Sequence, residues 1–234
     1  MARGFSLIEL IVVMSVVCLL AGLLMPSLSA LREQAHRMIC SSNEKQLAWG
    51  VLSYSADWKE HLPVSVVLQE GRPQDLMLSR LGDDNGHDWD GIGLLYSLGY
   101  CGAPECYYCP SHHGDHRMED HEQEWFSPEK KTIFTNYHYA GDVDWITGAR
   151  RDANDGERLV LLTDGLRTQQ DYNHEVGMNM ALGDGSVRWK DDLLHLRNRL
   201  PMSSELGASE VDNYRFVWNE VYDIFSPSHD GESD

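Results

Sequence analysis

The densest run of reactive side chains is CGAPECYYCPSHHGDHRMEDH, residues 101–121, which holds Cys101, Cys106, Cys109, His112, His113, His116 and His121. Cys106-x-x-Cys109 with His112 or His113 supplies the sulfur and nitrogen donors that tetrahedral zinc prefers. A second ligand pair at regular spacing is missing, and outside the cytoplasm the same thiols pair with one another. Disulfides are therefore the preferred reading and zinc the lesser one. With Cys40 the thiols number four, which allows three pairings. The preferred set is Cys40–Cys109 with Cys101–Cys106, because a four-residue gap closes a compact loop and the long bridge staples an N-terminal helix to the body. Cys18 lies in an apolar run and reads as a small apolar residue.

His174 and Asp184 form a second candidate pair in HEVGMNMALGDGSVRW. If the residues between them are extended, ten steps of about 3.3 Å put them roughly 30 Å apart, at opposite ends of a strand. Asp164 is the better partner for His174. A strand over 159–163 followed by an antiparallel strand from 177 brings both to one edge, as a His–Asp hydrogen bond or half of a metal site. The plainer reading is that they tie down the connection, and that Asp184 with Gly185 makes the turn of a hairpin. There is no Gly-x-Ser-x-Gly, no His-Glu-x-x-His and no phosphate-binding loop, so no nucleophile or nucleotide chemistry is indicated.

The third feature is one acid where none is expected. From Leu7 to Met25 the apolar run carries a single charge, Glu9, after a leader whose single charge is Arg3. Nineteen to twenty-one helical residues nearly cover a hydrocarbon core of roughly 30 Å. A carboxylate in such a span costs on the order of 2–3 kcal/mol and marks function. Its proposed partner is the α-amino group of Phe5 on a neighbouring copy, which exists only if the chain is cut after Gly4. An ordinary signal peptide has a shorter apolar region, and a plain anchor leaves Glu9 unexplained.

The remaining elements must carry these groups. The segment after Pro26 keeps a helical pattern in Leu28, Leu31, Ala35, Met38, Trp49 and Leu52, with Arg32, Glu33, Glu44 and Lys45 on other faces. One helix is expected from about Phe5 to Trp58, bent at Pro26 because proline removes a backbone hydrogen bond. Val64–Leu68 reads as a short strand, 92–98 as a short helix closed by Gly99, 135–139 and 159–162 as strands, and 177–190 as a hairpin. The expected organisation is a leader 1–4, a transmembrane helix 5–25, a helix extension 26–58, an ectodomain 59–225 and a disordered acidic tail 226–234. The formal charge of −18 argues against a nucleic-acid partner. Arg3 before the span places the rest of the chain outside the cytoplasm.

Gly4-Phe5-Ser6-Leu7-Ile8-Glu9 ahead of an apolar helix resembles the processing site of type IV pilins and type II secretion pseudopilins. The resemblance implies cleavage after Gly4 by a prepilin peptidase, N-methylation of Phe5, assembly guided by Glu9 and a helix kink at Pro26. His174 and Asp184-Gly185, Cys109-Pro110-Ser111, and the run Cys40–Leu47 are similar to a planctomycete-type variant of that family. The implied fold is α+β and pilin-like: a long kinked N-terminal helix packed on a small antiparallel sheet. The implied function is a structural, non-enzymatic subunit of a type II secretion pseudopilus or type IV pilus-like filament. Its partners would be copies of itself, sibling pseudopilins, prepilin peptidase and an inner-membrane assembly platform. Its place would be the bacterial inner membrane as a single-pass protein, N-terminus cytoplasmic and ectodomain periplasmic, before extraction into a filament. Pseudopilins commonly hold calcium near their C-terminal loops, and Asp142, Asp144, Asp152, Asp155 and Glu157 offer oxygens of the right kind. A solvated acidic turn is the plainer reading there. The alternative function is a membrane-anchored periplasmic metal-binding protein or hydrolase using the Cys/His cluster at 101–121.

Overall fold

A computed structural model describes residues 6–82, 88–153, 156, 159–202 and 208–222, with the side chains of Pro26 and 208–210 excepted. Its dominant element is α1, Leu7–Asp57, 51 residues of helix that continue through position 26. The expected bend hinges on the Pro26 side chain, which lies outside the described residues. Short elements follow: α2 (Val66–Gln69), β1 (Leu78–Arg80), α3 (Gly93–Ser97), α4 (Met118–Phe126), β2 (Ile133–Phe134) and β3 (Tyr137–Tyr139). Then come β4 (Val160–Asp164), β5 (Gly177–Leu182), β6 (Val187–Asp191), α5 (Leu196–Arg199) and α6 (Ala208–Tyr222).

The main sheet is antiparallel in the order β3-β4-β5-β6, and β1 pairs with β2 in a separate two-stranded ribbon. Its central strands are buried on both faces by two helices. On β5, Met178, Met180 and Leu182 pack with Trp218, Val217 and Val221 of α6, while Ala181 joins Leu47, Ala48 and Val51 of α1 on the other side. Strands covered on both sides need apolar or small side chains throughout, as in the VLLTD and GMNMAL of β4 and β5. The architecture is α+β, a long N-terminal helix on a small antiparallel sheet, in keeping with a pilin-like fold.

Three local expectations are corrected. Val64–Leu68 is not a strand: Ser65 leads into α2 because Asp90 accepts hydrogen bonds from Val66 N at 2.6 Å and Ser65 Oγ at 2.9 Å. Those bonds satisfy donors at the helix start. The face that α1 buries is also different. Leu28, Leu31, Ala35, Met38 and Trp49 are exposed, and the covered stripe is Cys40, Glu44, Leu47, Ala48, Val51, Tyr54 and Ser55. Those positions recur at the three-to-four spacing of a single helix face. Thirdly, Cys101 and Cys106 are free thiols. They flank the 3-10 turn Pro104–Tyr107 without closing a bridge, and Cys106 Sγ donates to Gln46 Oε1 of α1 instead.

Candidate functional site

Two regions carry chemistry. The first is the membrane-proximal part of α1. Every large apolar side chain from Leu7 to Met25 is at least half exposed, and the helix is long and apolar enough to cross a membrane. Near its start, Glu9 Oε2 accepts a hydrogen bond from Ser6 N at 2.9 Å. A carboxylate one turn in satisfies a helix-start N–H and interacts well with the positive end of the helix dipole. Gly4 and Phe5 lie outside the described residues.

The second is a buried cluster where α1 meets the sheet. Cys40 of α1 is disulfide-bonded to Cys109, with the Cα atoms 5.3 Å apart. His174 Nε2 lies 3.7 Å from Cys109 Sγ and 3.8 Å from Asp164 Oδ2. Strand β4 ends at Asp164 and β5 starts at Gly177, so the antiparallel turn between them sets His174 and Asp164 at one sheet edge. The far ring nitrogen, His174 Nδ1, is 2.6 Å from Glu33 Oε1 of α1. Ser111 Oγ donates to the other Glu33 oxygen at 2.7 Å. Partial burial raises the Glu33 carboxyl, but the hydrogen bonds from Ser111 and His174 and the nearby imidazole hold it below its ordinary range.

Asp164 is fully buried. Asn173 Nδ2 donates to its Oδ1 at 2.9 Å and Asn179 N to its Oδ2 at 2.7 Å. Burial nevertheless raises its carboxyl above the usual value, against the lowering effect of His174 and both asparagines. One turn beyond Cys40, Glu44 is also fully buried, and neither carboxylate oxygen has a hydrogen-bond partner among the described residues. Burial pushes it well up, and Asp164 adds to the effect. A buried acid without a partner stays protonated to escape the cost of a buried charge.

Asp184 sits apart from this cluster, in the β5–β6 turn, where its Oδ1 accepts from Ser186 N at 2.8 Å. The Ser186 side chain and backbone together hold its exposed carboxyl below the ordinary value. Gly185 has φ of +79°, and a Cβ there would meet the Trp49 ring at 3.0 Å. His174 and Gly185 thus touch the same helix at Glu33 and Trp49.

The Cys/His run at 101–121 does not form one site. Cys109 is bound to Cys40, Cys106 Sγ faces Gln46 Oε1 at 3.3 Å, and His112 Nδ1 meets Asn173 Oδ1 at 2.8 Å. His116 stacks on Phe134 and, by burial, is depressed to about 4. The zinc knuckle Cys106-x-x-Cys109 with His112 or His113 is not assembled, because a disulfide and a turn draw its thiols apart. Of the acidic calcium set, Asp142, Asp144 and Asp152 lie among the described residues. Asp144 Oδ1 accepts from Ile146 N, Thr147 N and Thr147 Oγ1, and its Oδ2 accepts from Arg151 and Trp218. Asp142 takes Ser65 N at 3.3 Å, and Asp152 pairs with His61 through the backbone. Asp155 and Glu157 lie outside the described residues.

Glu33 and Glu44 are the functional-looking residues that the sequence pattern did not single out. They stand seven before and four after Cys40, spacings that share a helix face with it, but their charge assigns them to the solvent side.

Residues 1–25 match the family of the prokaryotic N-terminal methylation motif. This chain carries a methylation motif. It spans Gly4, Phe5, Glu9 and the apolar run, and ends just before Pro26. No curated relative and no solved structure matches the chain.

Proposed function

We propose that this chain is a structural subunit of a type II secretion pseudopilus or type IV pilus-like filament, cut after Gly4 and N-methylated at Phe5. The observation that carries this reading is an apolar helix surface with no covering partner among the described residues, under a methylation motif. The exposed apolar face extends past the span through Leu28, Leu31 and Met38, farther than a membrane anchor needs. Buried apolar area contributes roughly 25 cal/mol per Å², so packing these helices together offsets the loss of the lipid environment.

In this scheme prepilin peptidase exposes the Phe5 amine, and Glu9 of a neighbouring subunit pairs with it inside the helix bundle. The charge pair offsets the burial of each partner. Before assembly the protein is a single-pass inner-membrane protein with its N-terminus cytoplasmic and its ectodomain periplasmic. Afterwards the span becomes the filament core.

Mass spectrometry of the mature N-terminus tests processing: methylated Phe5 is expected, and a start near Ala30 would overturn the reading. Glu9→Leu should leave the protein in the membrane and reduce its incorporation into filaments at least tenfold. Normal incorporation would break the proposed pairing.

A further inference from the structure

The buried groups around the disulfide form a site that filament assembly does not use. We propose that the chain, when Cys40 and Cys109 are reduced, binds one zinc ion through their two sulfurs, His174 Nε2 and the Asp164 carboxylate. Zinc and the disulfide are then alternative fasteners at one position, between α1 and the sheet.

One donor atom from each of these four buried residues lies within 4.8 Å of all the others. Zinc bonds of about 2.3 Å to sulfur and about 2.0–2.1 Å to nitrogen or oxygen, arranged as a tetrahedron, separate the donors by about 3.4–3.8 Å. His174 Nε2 already stands 3.7 Å from Cys109 Sγ and 3.8 Å from Asp164 Oδ2. The two sulfurs must part, to about 3.8 Å, once the bond between them is gone, and the other donor pairs, all within 4.8 Å, need close by no more than about 1 Å.

Three of the four ligands are also held from behind, as metal ligands are. Glu33 takes the Nδ1 side of His174, which leaves the Nε2 lone pair facing the cluster. Asn173 and Asn179 fix both oxygens of Asp164, and Cys109 N donates to Asn136 Oδ1 at 3.1 Å. A separate observation comes from Glu44. This fully buried carboxyl, one turn from Cys40, has no hydrogen-bond partner among the described residues. Protonated while the disulfide is closed, this acid would have an opposite charge within reach of its own helix turn once zinc is bound.

Binding releases two thiol protons to solvent as the two zinc–sulfur bonds form. In the reverse exchange a disulfide oxidant takes two electrons from the thiolates, Cys40–Cys109 closes, and the ion leaves. Zinc content therefore tracks the redox state of this pair alone.

The test uses the full chain in detergent with Cys101→Ser and Cys106→Ser, so that the pair supplies the ectodomain thiols. Under a phosphine reductant, metal analysis should find one zinc per chain, and after disulfide closure none. Cobalt in place of zinc should give the intense visible bands of a tetrahedral thiolate site. His174→Ala should weaken zinc binding at least tenfold. A reduced chain that keeps its circular dichroism and unfolding transition yet holds no zinc would overturn the proposal. So would zinc retained by the oxidised chain. The redox comparison needs no further substitution, so a variant that fails to fold does not decide the matter.

Discussion

Leu31 and Leu47 stand sixteen residues apart on one continuous helix, yet Leu31 is 61 % exposed and Leu47 is 0 % exposed. The same contrast separates the two regions of α1. From Leu7 to Met38 the helix presents apolar side chains that nothing among the described residues covers. From Cys40 to Ser55 its covered stripe includes a cysteine, a glutamate, a tyrosine and a serine. The region of high hydrophobicity is therefore the exposed one, and the mixed region is the core. A helix normally buries its most apolar face; one that leaves it open fits a different solvent or a partner.

The sharpest way to test that contrast is to remove the fastener of the second region. Cys40→Ser with Cys109→Ser frees a loop with a sequence separation of 69. Loop entropy alone then predicts a loss of about 4 kcal/mol for the ectodomain in metal chelator, measured by denaturant unfolding. An unchanged midpoint would mean that packing alone secures α1. Next in size is the leucine pair itself. Leu47→Ala should cost about 3 kcal/mol, while Leu31→Ala should stay within about 0.5 kcal/mol as an exposed site. Equal losses would erase the distinction between the two regions.

The smallest effect is a pH dependence. The Glu44 carboxyl is raised in the folded state, chiefly by burial. Its protonated form therefore favours folding below its ordinary value, and that stability is lost as pH rises toward its folded value. Glu44→Gln cannot ionise, so it should lose less melting temperature than the parent between pH 5 and pH 8. Parallel pH profiles would show that Glu44 is not neutral inside the fold. The buried His138 runs the opposite way, depressed by burial to about 3, and contributes a loss on the acid side in both proteins.

These contrasts also separate what the sequence made legible from what it did not. The apolar run, Glu9, the strands read at 135–139 and 159–162 and the hairpin at 177–190 follow from local residue patterns; β2 at Ile133–Phe134 is not among them. The proximity of His174 to Asp164 followed from strand geometry, because antiparallel neighbours fix which ends meet. The buried face of α1 was not legible. Choosing it by hydrophobicity points to Leu28, Leu31 and Met38, whereas the sheet takes Cys40 and Glu44. Glu44 read as a solvent-side residue because a carboxylate costs too much inside; its burial as a neutral acid is a property of the tertiary surroundings. Likewise Cys106 and Cys109 share a motif in sequence, but Cys109 is claimed by a residue 69 positions away.

The grips on α1 have a mechanical consequence. His174 holds the helix at Glu33, and the Gly185 turn leans on Trp49. These points lie sixteen residues apart, about 24 Å along the axis, with the Cys40 bond between them. A rod clamped at two separated points cannot swivel about either one. Torque or tension entering at the N-terminal end of α1 is therefore delivered to the β-sheet as a rigid displacement, with a covalent pin carrying the shear.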